Sequence, residues 1–167
     1  ETEALSYNRL FCYRRFTIYD EAGQELIHMM ATFVLMDRDS RKVQAVEPEI
    51  VVPYQSDFDK KLIRGPKYES LNEPIIKDYH VRFYDLDMNG HVNNSKYLDW
   101  IFEVMGADFL TQYIPKKINL KYVKEVRPGG VITSAVERTG LESKHEITSD
   151  GATNAQAIIT WQEMKKD

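Results

Sequence analysis

Four strand-like segments follow one another in the C-terminal half of the sequence, and this succession restricts the possible folds more than any other feature. The segments are residues 117–127, 131–139, 143–148 and 153–164, and glycine-containing turns at 128–130, 140 and 150–151 separate them. Turns this short join antiparallel neighbours, because a parallel connection needs roughly a dozen residues or more. The segments therefore predict one continuous antiparallel sheet.

One helical segment precedes these strands. Residues 95–113 fit a helix that Asn93 or Asn94 can cap, and residues 75–83 before it are typical of a strand. On a helical period, the apolar side chains form a broad arc made of Tyr97, Leu98, Ile101, Phe102, Val104, Met105 and Phe109. An arc this wide predicts a helix that its surroundings enclose. The order of elements indicates an α+β fold, in which a curved antiparallel sheet wraps around the helix.

The N-terminal third has a different organisation. Residues 9–19 and 26–36 predict a hairpin, which a short strand at 43–46 and a short helix from Pro48 follow. Residues 55–74 are polar and contain two prolines, so they are interpreted as a linker. Three regions result: a partial N-terminal domain at 1–54, the linker at 55–74 and a complete domain at 75–167. A lone hairpin is marginally stable, so the first region is expected to be the closing part of a domain.

Composition excludes several classes of protein. The chain has 167 residues, of which 43% are hydrophobic and 29% are charged, as in ordinary globular domains. A net charge of −4 disfavours a nucleic-acid partner, because phosphate binding requires a basic surface. No apolar run is long enough to span a bilayer, so no membrane association is expected. The single cysteine, Cys12, fits a reducing compartment, and a cytoplasmic location is predicted.

The loop before the helix, YDLDMNGHVNN at residues 84–94, concentrates acidic and amide side chains. Up to Gly90 it fits the first half of a calcium-binding EF-hand loop. That loop requires a bidentate carboxylate at its twelfth position, where this chain has Lys96. An EF-hand loop is also entered from a helix, whereas a predicted strand enters this one. We therefore expect no metal here, and the side chains must serve another chemistry.

The stretch VRFYDLDMNGHVNNSKYLDWIFE resembles the acyl-acyl carrier protein (acyl-ACP) thioesterases, which are hotdog-fold enzymes of fatty-acid synthesis. Their pattern is D-x-N-x-H-V-N-N, then Tyr and Trp on the helix, then Glu in a Y-x-x-E context. The matching positions are Asp87, Asn89, His91, Val92, Asn93, Asn94, Tyr97, Trp100 and Glu125. The family has two tandem hotdogs. The resemblance therefore implies a complete C-terminal hotdog at 75–167, preceded by the closing strands of a truncated first one.

The resemblance also implies a reaction, the hydrolysis of a fatty acyl thioester to free fatty acid and acyl carrier protein, with no cofactor. It carries four catalytic positions to this chain: Asp87, Asn89, His91 and Glu125. A histidine with an ordinary pKa of about 6.5 can act as a neutral base at cellular pH. Glu125 would hold the water or orient the imidazole, while Asp87 fixes the amide of Asn89.

Backbone groups at the start of the helix are candidates for stabilising the oxyanion. The first N–H groups of a helix lack partners within it and favour negative charge. The candidates are the N–H groups of Gly90, Val92 and Asn93. Plant members of the family carry a cysteine at the position of Val126. Because this chain has no thiol there, water is expected to be the nucleophile.

Two alternatives to this function stay open. Hotdog thioesterases that act on coenzyme A esters share much of the motif, and a non-catalytic hotdog could bind acyl chains. Strict strand alternation would also place Glu125 on the solvent side, unless a bulge intervenes. The remaining histidines, His28, His80 and His145, are expected to be ordinary strand residues.

Two basic runs are candidates for steering the acidic carrier protein, although either can be ordinary solvated surface. The runs are Lys60, Lys61, Arg64 and Lys67, and Lys116, Lys117, Lys121, Lys124 and Arg127. Self-association is also expected, because a lone hotdog usually pairs with another.

Overall fold

The computed structural model describes residues 1–165 and divides the chain into two compact units. The first unit is Glu1–Arg64, and the second begins at Gly65. The division falls inside the segment 55–74 that the sequence predicts as a linker.

The first unit is a small sheet with short additions. Its elements are β1 (Thr2–Tyr7), β2 (Cys12–Tyr19), β3 (Glu25–Phe33), β4 (Leu35–Met36), β5 (Val43–Gln44), α1 (Pro48–Val51), a 3-10 turn (Val52–Tyr54) and β6 (Asp57–Phe58). The sheet order is β3-β2-β1-β6, with β1 and β6 parallel, while β4 and β5 form a separate pair. The predicted hairpin is confirmed as β2 and β3. Edge strand β3 leaves apolar side chains exposed, among them Leu26, Ile27, Met29, Met30 and Phe33.

Two features of this unit differ from the prediction. Strand β1 was not predicted, because its sequence TEALSY has little β-propensity and its pairing with β2 and β6 has no local signal in the sequence. Strand β2 begins at Cys12, three residues later than predicted. The Asn8 side chain explains this delay, since its Oδ1 accepts hydrogen bonds from the backbone N–H groups of Leu10 and Phe11 and holds them in a turn.

The second unit contains one continuous five-stranded sheet. Its elements are β7 (Ile75–His80), a 3-10 turn (Phe83–Asp85), α2 (Asn94–Glu103), α3 (Ala107–Leu110), β8 (Tyr113–Tyr122), β9 (Val131–Thr139), β10 (Glu142–Ser149) and β11 (Ala152–Glu163). The sheet order is β7-β9-β10-β11-β8, and every pair is antiparallel. The four C-terminal strands and their single antiparallel sheet are therefore confirmed. The predicted pairing of β8 with β9 is wrong, because β8 ends at Tyr122 and the longer connection at 123–130 lets it pair with β11 at the opposite edge.

The predicted helix at 95–113 is wrong beyond Glu103. Gly106 adopts φ +82°, a left-handed conformation that interrupts the helix, and the short α3 follows the interruption. The predicted start is confirmed, since the Asn93 side chain caps α2 by accepting from the N–H of Ser95 at 3.0 Å. A ten-residue helix is about 15 Å long, short enough for one sheet to enclose it.

The core of the second unit lies between α2 and the sheet. Its most buried members are Val81, Val92, Tyr97, Trp100, Ile101, Val126, Ile132, Ile147, Ala155, Ala157, Ile159 and Trp161. Ile101, on the inner face of α2, has no exposed surface at all. The helix therefore sits inside the curve of an antiparallel sheet, which confirms the α+β class and the hotdog arrangement. Among the helices of residues 1–165, none has the length and apolar character needed to cross a membrane.

Candidate active site

The loop between β7 and α2 is anchored by a buried carboxylate. Asp85 is fully buried and accepts hydrogen bonds from Arg82, from its backbone N–H at 2.7 Å and from its guanidinium at 3.1 Å. Burial raises the pKa of the Asp85 carboxyl, but the hydrogen bonds and charge of Arg82 outweigh this effect, so the pKa lies below its usual value. The backbone carbonyl of Asp85 also accepts from the N–H of Asn93 at 2.8 Å. Asp85 therefore ties the start of the loop to the cap of α2.

Asp87 organises the tip of the same loop. Its Oδ1 accepts from the backbone N–H of Asn89 at 2.8 Å and from that of His91 at 3.0 Å. The hydrogen bond from His91 is the main reason why the pKa of the Asp87 carboxyl is lowered, and Asn89 adds to the effect. Gly90 takes φ +76°, which lets the chain turn back between these donors. Asp87 thus fixes the turn that presents Asn89 and His91, and it acts mainly on their backbone.

The two polar side chains at the tip point away from the core. Asn89 and His91 are exposed, whereas the next residue, Val92, is buried and lies opposite Leu86 in a short antiparallel bridge. Because Asp85 before the tip and Val92 after it are both buried, they fix the backbone of the loop against the core. The histidine and the amide are therefore carried on a fixed turn and are open to a substrate.

Two of the three predicted oxyanion donors already have acceptors. The N–H of Gly90 donates to the Asp87 carbonyl at 3.0 Å, and the N–H of Asn93 donates to the Asp85 carbonyl. Among the hydrogen bonds of residues 1–165, none uses the N–H of Val92. Val92 is therefore the remaining candidate of this predicted set.

Glu125 lies outside the strand that was predicted to carry it. The ladder of β8 ends at Tyr122, so the expected strand 117–127 is too long, and strict alternation does not apply to Glu125. The residue is exposed in the loop that follows. The N–H of the next residue, Val126, donates to the Tyr97 hydroxyl on α2 at 3.1 Å and attaches the Glu125 segment to this helix. Burial raises the pKa of the Tyr97 hydroxyl, the hydrogen bond from Val126 lowers it, and the charge of Glu125 raises it. The structure therefore brings Glu125 to the helix that the candidate loop begins.

A second contact joins the same two parts of the molecule. The Tyr122 hydroxyl donates to the Asn94 carbonyl in the first turn of α2 at 3.0 Å. The end of β8 is thereby attached next to the loop that carries Asn89 and His91. Sequence reasoning used Tyr122 only as the tyrosine of the Y-x-x-E motif, and it did not single out Asn154, which precedes the partner of Tyr122 in the sheet, Ala155. Both belong to strands whose alternation carries no sign of these contacts.

An open cleft of about 660 Å³ lies elsewhere on this unit, between β7 and α2. Its lining includes Tyr79, Arg82, Asp99, Trp100 and Glu103, and none of the four predicted catalytic residues. Burial, followed by the charge of Glu103, raises the pKa of Tyr79 to about 12. The charged rim of this cleft does not suit a fatty acyl chain.

Within residues 1–165, no group of three or more histidine, cysteine, aspartate or glutamate side chains is placed to hold a metal ion. In the loop itself, Oδ1 of Asp87 accepts hydrogen bonds from two backbone N–H groups.

Family models match both parts of the chain. The model described as the acyl-ACP thioesterase C-terminal domain matches residues 68–163, and the N-terminal domain model of the same family matches residues 1–54. The first match covers the candidate loop, Glu125 and all five strands of the second unit.

Individual proteins similar to this chain come from the same family. An oleoyl-acyl carrier protein thioesterase 2 from Arabidopsis thaliana is 28% identical over 164 residues, which cover 89% of this chain and 43% of the relative. A FATB2 acyl-[acyl-carrier-protein] hydrolase from Cuphea viscosissima is 31% identical over 131 residues, which cover 71% of this chain and 31% of that relative. Both relatives are named as chloroplastic. The chain spans less than half of the length of these curated relatives.

Solved structures extend the comparison to the fold. A crystal structure from Lactobacillus plantarum, provisionally named an oleoyl thioesterase, has a TM-score of 0.89 and 32% identity, covering 99% of this chain and 68% of that one. The 12:0-ACP thioesterase from Umbellularia californica has a TM-score of 0.84 at 22% identity, covering 98% of this chain and 66% of that one, and shares the fold. Taken with the loop geometry and the two family-model matches, these similarities show that the chain belongs to the acyl-ACP thioesterase family.

Proposed function

We propose that this chain hydrolyses fatty acyl-ACP thioesters to free fatty acid and acyl carrier protein. The observation that carries the proposal is the attachment of the Glu125 segment to α2, through the hydrogen bonds of Val126 and Tyr122, next to the fixed turn that presents Asn89 and His91. Relatives at 26 to 31% identity are named as thioesterases or hydrolases of acyl carrier protein substrates, which supports the same reaction.

The proposed reaction needs one activated water. His91 takes a proton from the water as its oxygen attacks the thioester carbonyl carbon, and Glu125 orients either the water or the imidazole. Such base assistance is typically worth about 10² to 10⁴ in rate. The C–S bond then breaks, the thiolate of the carrier's prosthetic group leaves, and His91 returns the proton to the sulfur. Val126 offers no nucleophilic side chain, so no covalent enzyme intermediate forms at that position.

The tetrahedral intermediate carries a negative charge on the former carbonyl oxygen. We assign the N–H of Val92 as a donor to this oxyanion, because Gly90 and Asn93 already donate within the loop. The exposed amide of Asn89 is placed on the same turn and is proposed to contact the substrate. One well-placed oxyanion donor typically lowers the activation free energy by about 3 kcal/mol.

The proposed macromolecular partner is the acyl carrier protein itself. Five exposed basic residues lie along β8 and in the loop after it, namely Lys116, Lys117, Lys121, Lys124 and Arg127. A concentration of positive charge on a chain of net charge −4 favours an acidic partner at this edge. We also propose self-association, which the exposed apolar residues on edge strand β3 support. The proposed location is the cytoplasm or another reducing compartment, in keeping with a single cysteine.

The function is tested by thiol release from a panel of acyl-ACP substrates, with the matching acyl-CoA esters as controls. We expect faster turnover on the carrier-protein substrates and a fall of about 10² to 10⁴ in kcat for His91→Ala and Glu125→Gln. His28→Ala is the matched control, because His28 is an exposed histidine of the first unit. Equal rates on both substrate classes would favour a coenzyme A thioesterase. A folded chain that binds acyl esters without turnover would show a passive acyl-binding module.

A further inference from the structure

The loop that carries Glu125 is held by Asn154, a residue that the proposed mechanism does not use. Asn154 lies near the start of β11 and is only 1% exposed. Its backbone carbonyl accepts from the N–H groups of Val123 and Lys124, at 2.8 and 3.2 Å. Its side-chain Nδ2 donates to the carbonyls of Lys124 and Glu125, at 3.2 and 3.3 Å. One residue therefore binds four backbone groups of the segment immediately before and at Glu125.

The orientation of the Asn154 amide follows from these contacts. The two groups that it faces are both carbonyl oxygens, so only the NH₂ end can point towards them. The other end, Oδ1, is buried without a hydrogen-bond partner among residues 1–165. A buried acceptor without a hydrogen bond lowers stability, so the Asn154 side chain destabilises the fold at its Oδ1 end while its Nδ2 end holds the loop.

The loop is also fixed from the side of the helix. The buried Tyr97 hydroxyl on α2 accepts from the N–H of Val126 at 3.1 Å. Tyr97 packs edge-on against Tyr122, with 5.2 Å between ring centroids, and Tyr122 in turn bonds to the first turn of α2. The Glu125 segment is therefore held at two successive residues. Asn154 on β11 binds the carbonyl of Glu125, and Tyr97 on α2 binds the N–H of Val126.

We infer that Asn154 is a positioning residue that sets the place of the Glu125 carboxylate relative to the loop of Asn89 and His91. The inference rests on the proposed function. A displacement of about 1 Å in a reacting group can reduce the rate about 10²-fold, although binding of the substrate elsewhere is unchanged. Asn154 is thus expected to act on kcat much more than on KM.

The test compares Asn154→Ala with Ser134→Ala. Ser134 is also fully buried, and its hydroxyl donates to the Trp100 carbonyl at 3.0 Å, so its loss removes a comparable core hydrogen bond that does not touch Glu125. We expect Asn154→Ala to lower kcat on acyl-ACP about 10- to 100-fold with less than about a threefold change in KM. Ser134→Ala should lower stability without this loss of kcat.

Amide hydrogen exchange provides a readout that does not depend on catalysis. In Asn154→Ala, exchange at Val123, Lys124 and Val126 should accelerate at least about tenfold, while strand β10 keeps its protection. Asn154→Asp keeps the size of the side chain but replaces the donor with an acceptor, and it should accelerate exchange at the same amides. If the unsubstituted chain shows no turnover, the proposed function is overturned, whatever the exchange shows. Unchanged exchange, or a fall in kcat no larger than that of Ser134→Ala, would overturn the positioning role alone.

Discussion

His145 is expected to make the second unit sensitive to mild acid. The residue is 2% exposed in β10, and its Nε2 lies 2.7 Å from the Ser143 hydroxyl, which also accepts a hydrogen bond from the Trp161 indole at 2.7 Å. Because the hydroxyl accepts from Trp161, its own proton is available to the imidazole, which suits a neutral ring. Burial lowers the pKa of His145 to about 4.

The size and sign of the effect follow from this pKa. In the unfolded chain the imidazole takes up a proton below about pH 6.5, whereas the folded unit keeps it neutral until about pH 4. The unfolded state therefore binds more protons across this interval, and stability falls as the pH is lowered. A difference of this size corresponds to about 3 kcal/mol of unfolding free energy, lost between about pH 6.5 and 4. Above pH 7 the group contributes no pH dependence.

The measurement is denaturant unfolding followed by tryptophan fluorescence at several pH values from 7.5 to 4. Both tryptophans, Trp100 and Trp161, are buried in the second unit and report its unfolding. His145→Gln should be less stable than the parent at pH 7.5, and this difference should shrink by about 3 kcal/mol towards pH 4. His80→Gln, which alters an exposed histidine, should follow the parent throughout. Parallel pH curves for the parent and His145→Gln would refute the reasoning.

Three further predictions concern the site and its support. Asp87→Asn should lower kcat/KM about 10- to 100-fold, because the turn loses a charged acceptor for two N–H groups; an unchanged value would show that the turn holds without it. Gly106→Ala should reduce the unfolding free energy by about 1 kcal/mol, since φ +82° disfavours a side chain, whereas no loss in a melting experiment would count against the strain. Lys117→Glu combined with Lys121→Glu should raise KM for acyl-ACP several-fold and leave acyl-CoA unaffected, and equal effects on both substrates would rule out carrier docking at β8.

Strands β9 and β10 could be predicted because each ends at a glycine turn and keeps a regular alternation, whereas the partner of β8 could not, because β8 ends at Tyr122 and pairs with β11. The start of helix α2 could also be predicted, since Asn93 is a recognisable N-cap residue. The helix end was not, because the apolar pattern continues through Phe109 and only the left-handed Gly106 marks the interruption. The loop residues were identified from a local motif, and the structure shows why the motif is local: Asp87 bonds to residues two and four positions later.

Glu125 marks the limit of sequence reasoning here. Its position depends on where β8 stops, and that point is set by partners far along the chain. Asn154 follows Glu125 by 29 residues, and Tyr97 precedes Val126 by the same interval. Neither periodicity nor turn signals carry information about pairings at that distance.

The contacts around Asp87 join residues close in sequence, whereas those around Glu125 join distant residues, and this difference should determine the order in which the two regions fold. The turn around Asp87 closes through contacts within a few residues, and such contacts form early because the entropy of closing a short loop is small. We expect the Glu125 segment to reach its native position only after β11 has paired with β8, because the contacts with Asn154 require this pairing. In a refolding experiment, helix α2 and its loop are thus expected to form before catalytic competence returns. Recovery of activity would then follow the closing of the β8–β11 edge, and a variant that slows this pairing would delay activity without delaying the appearance of helix.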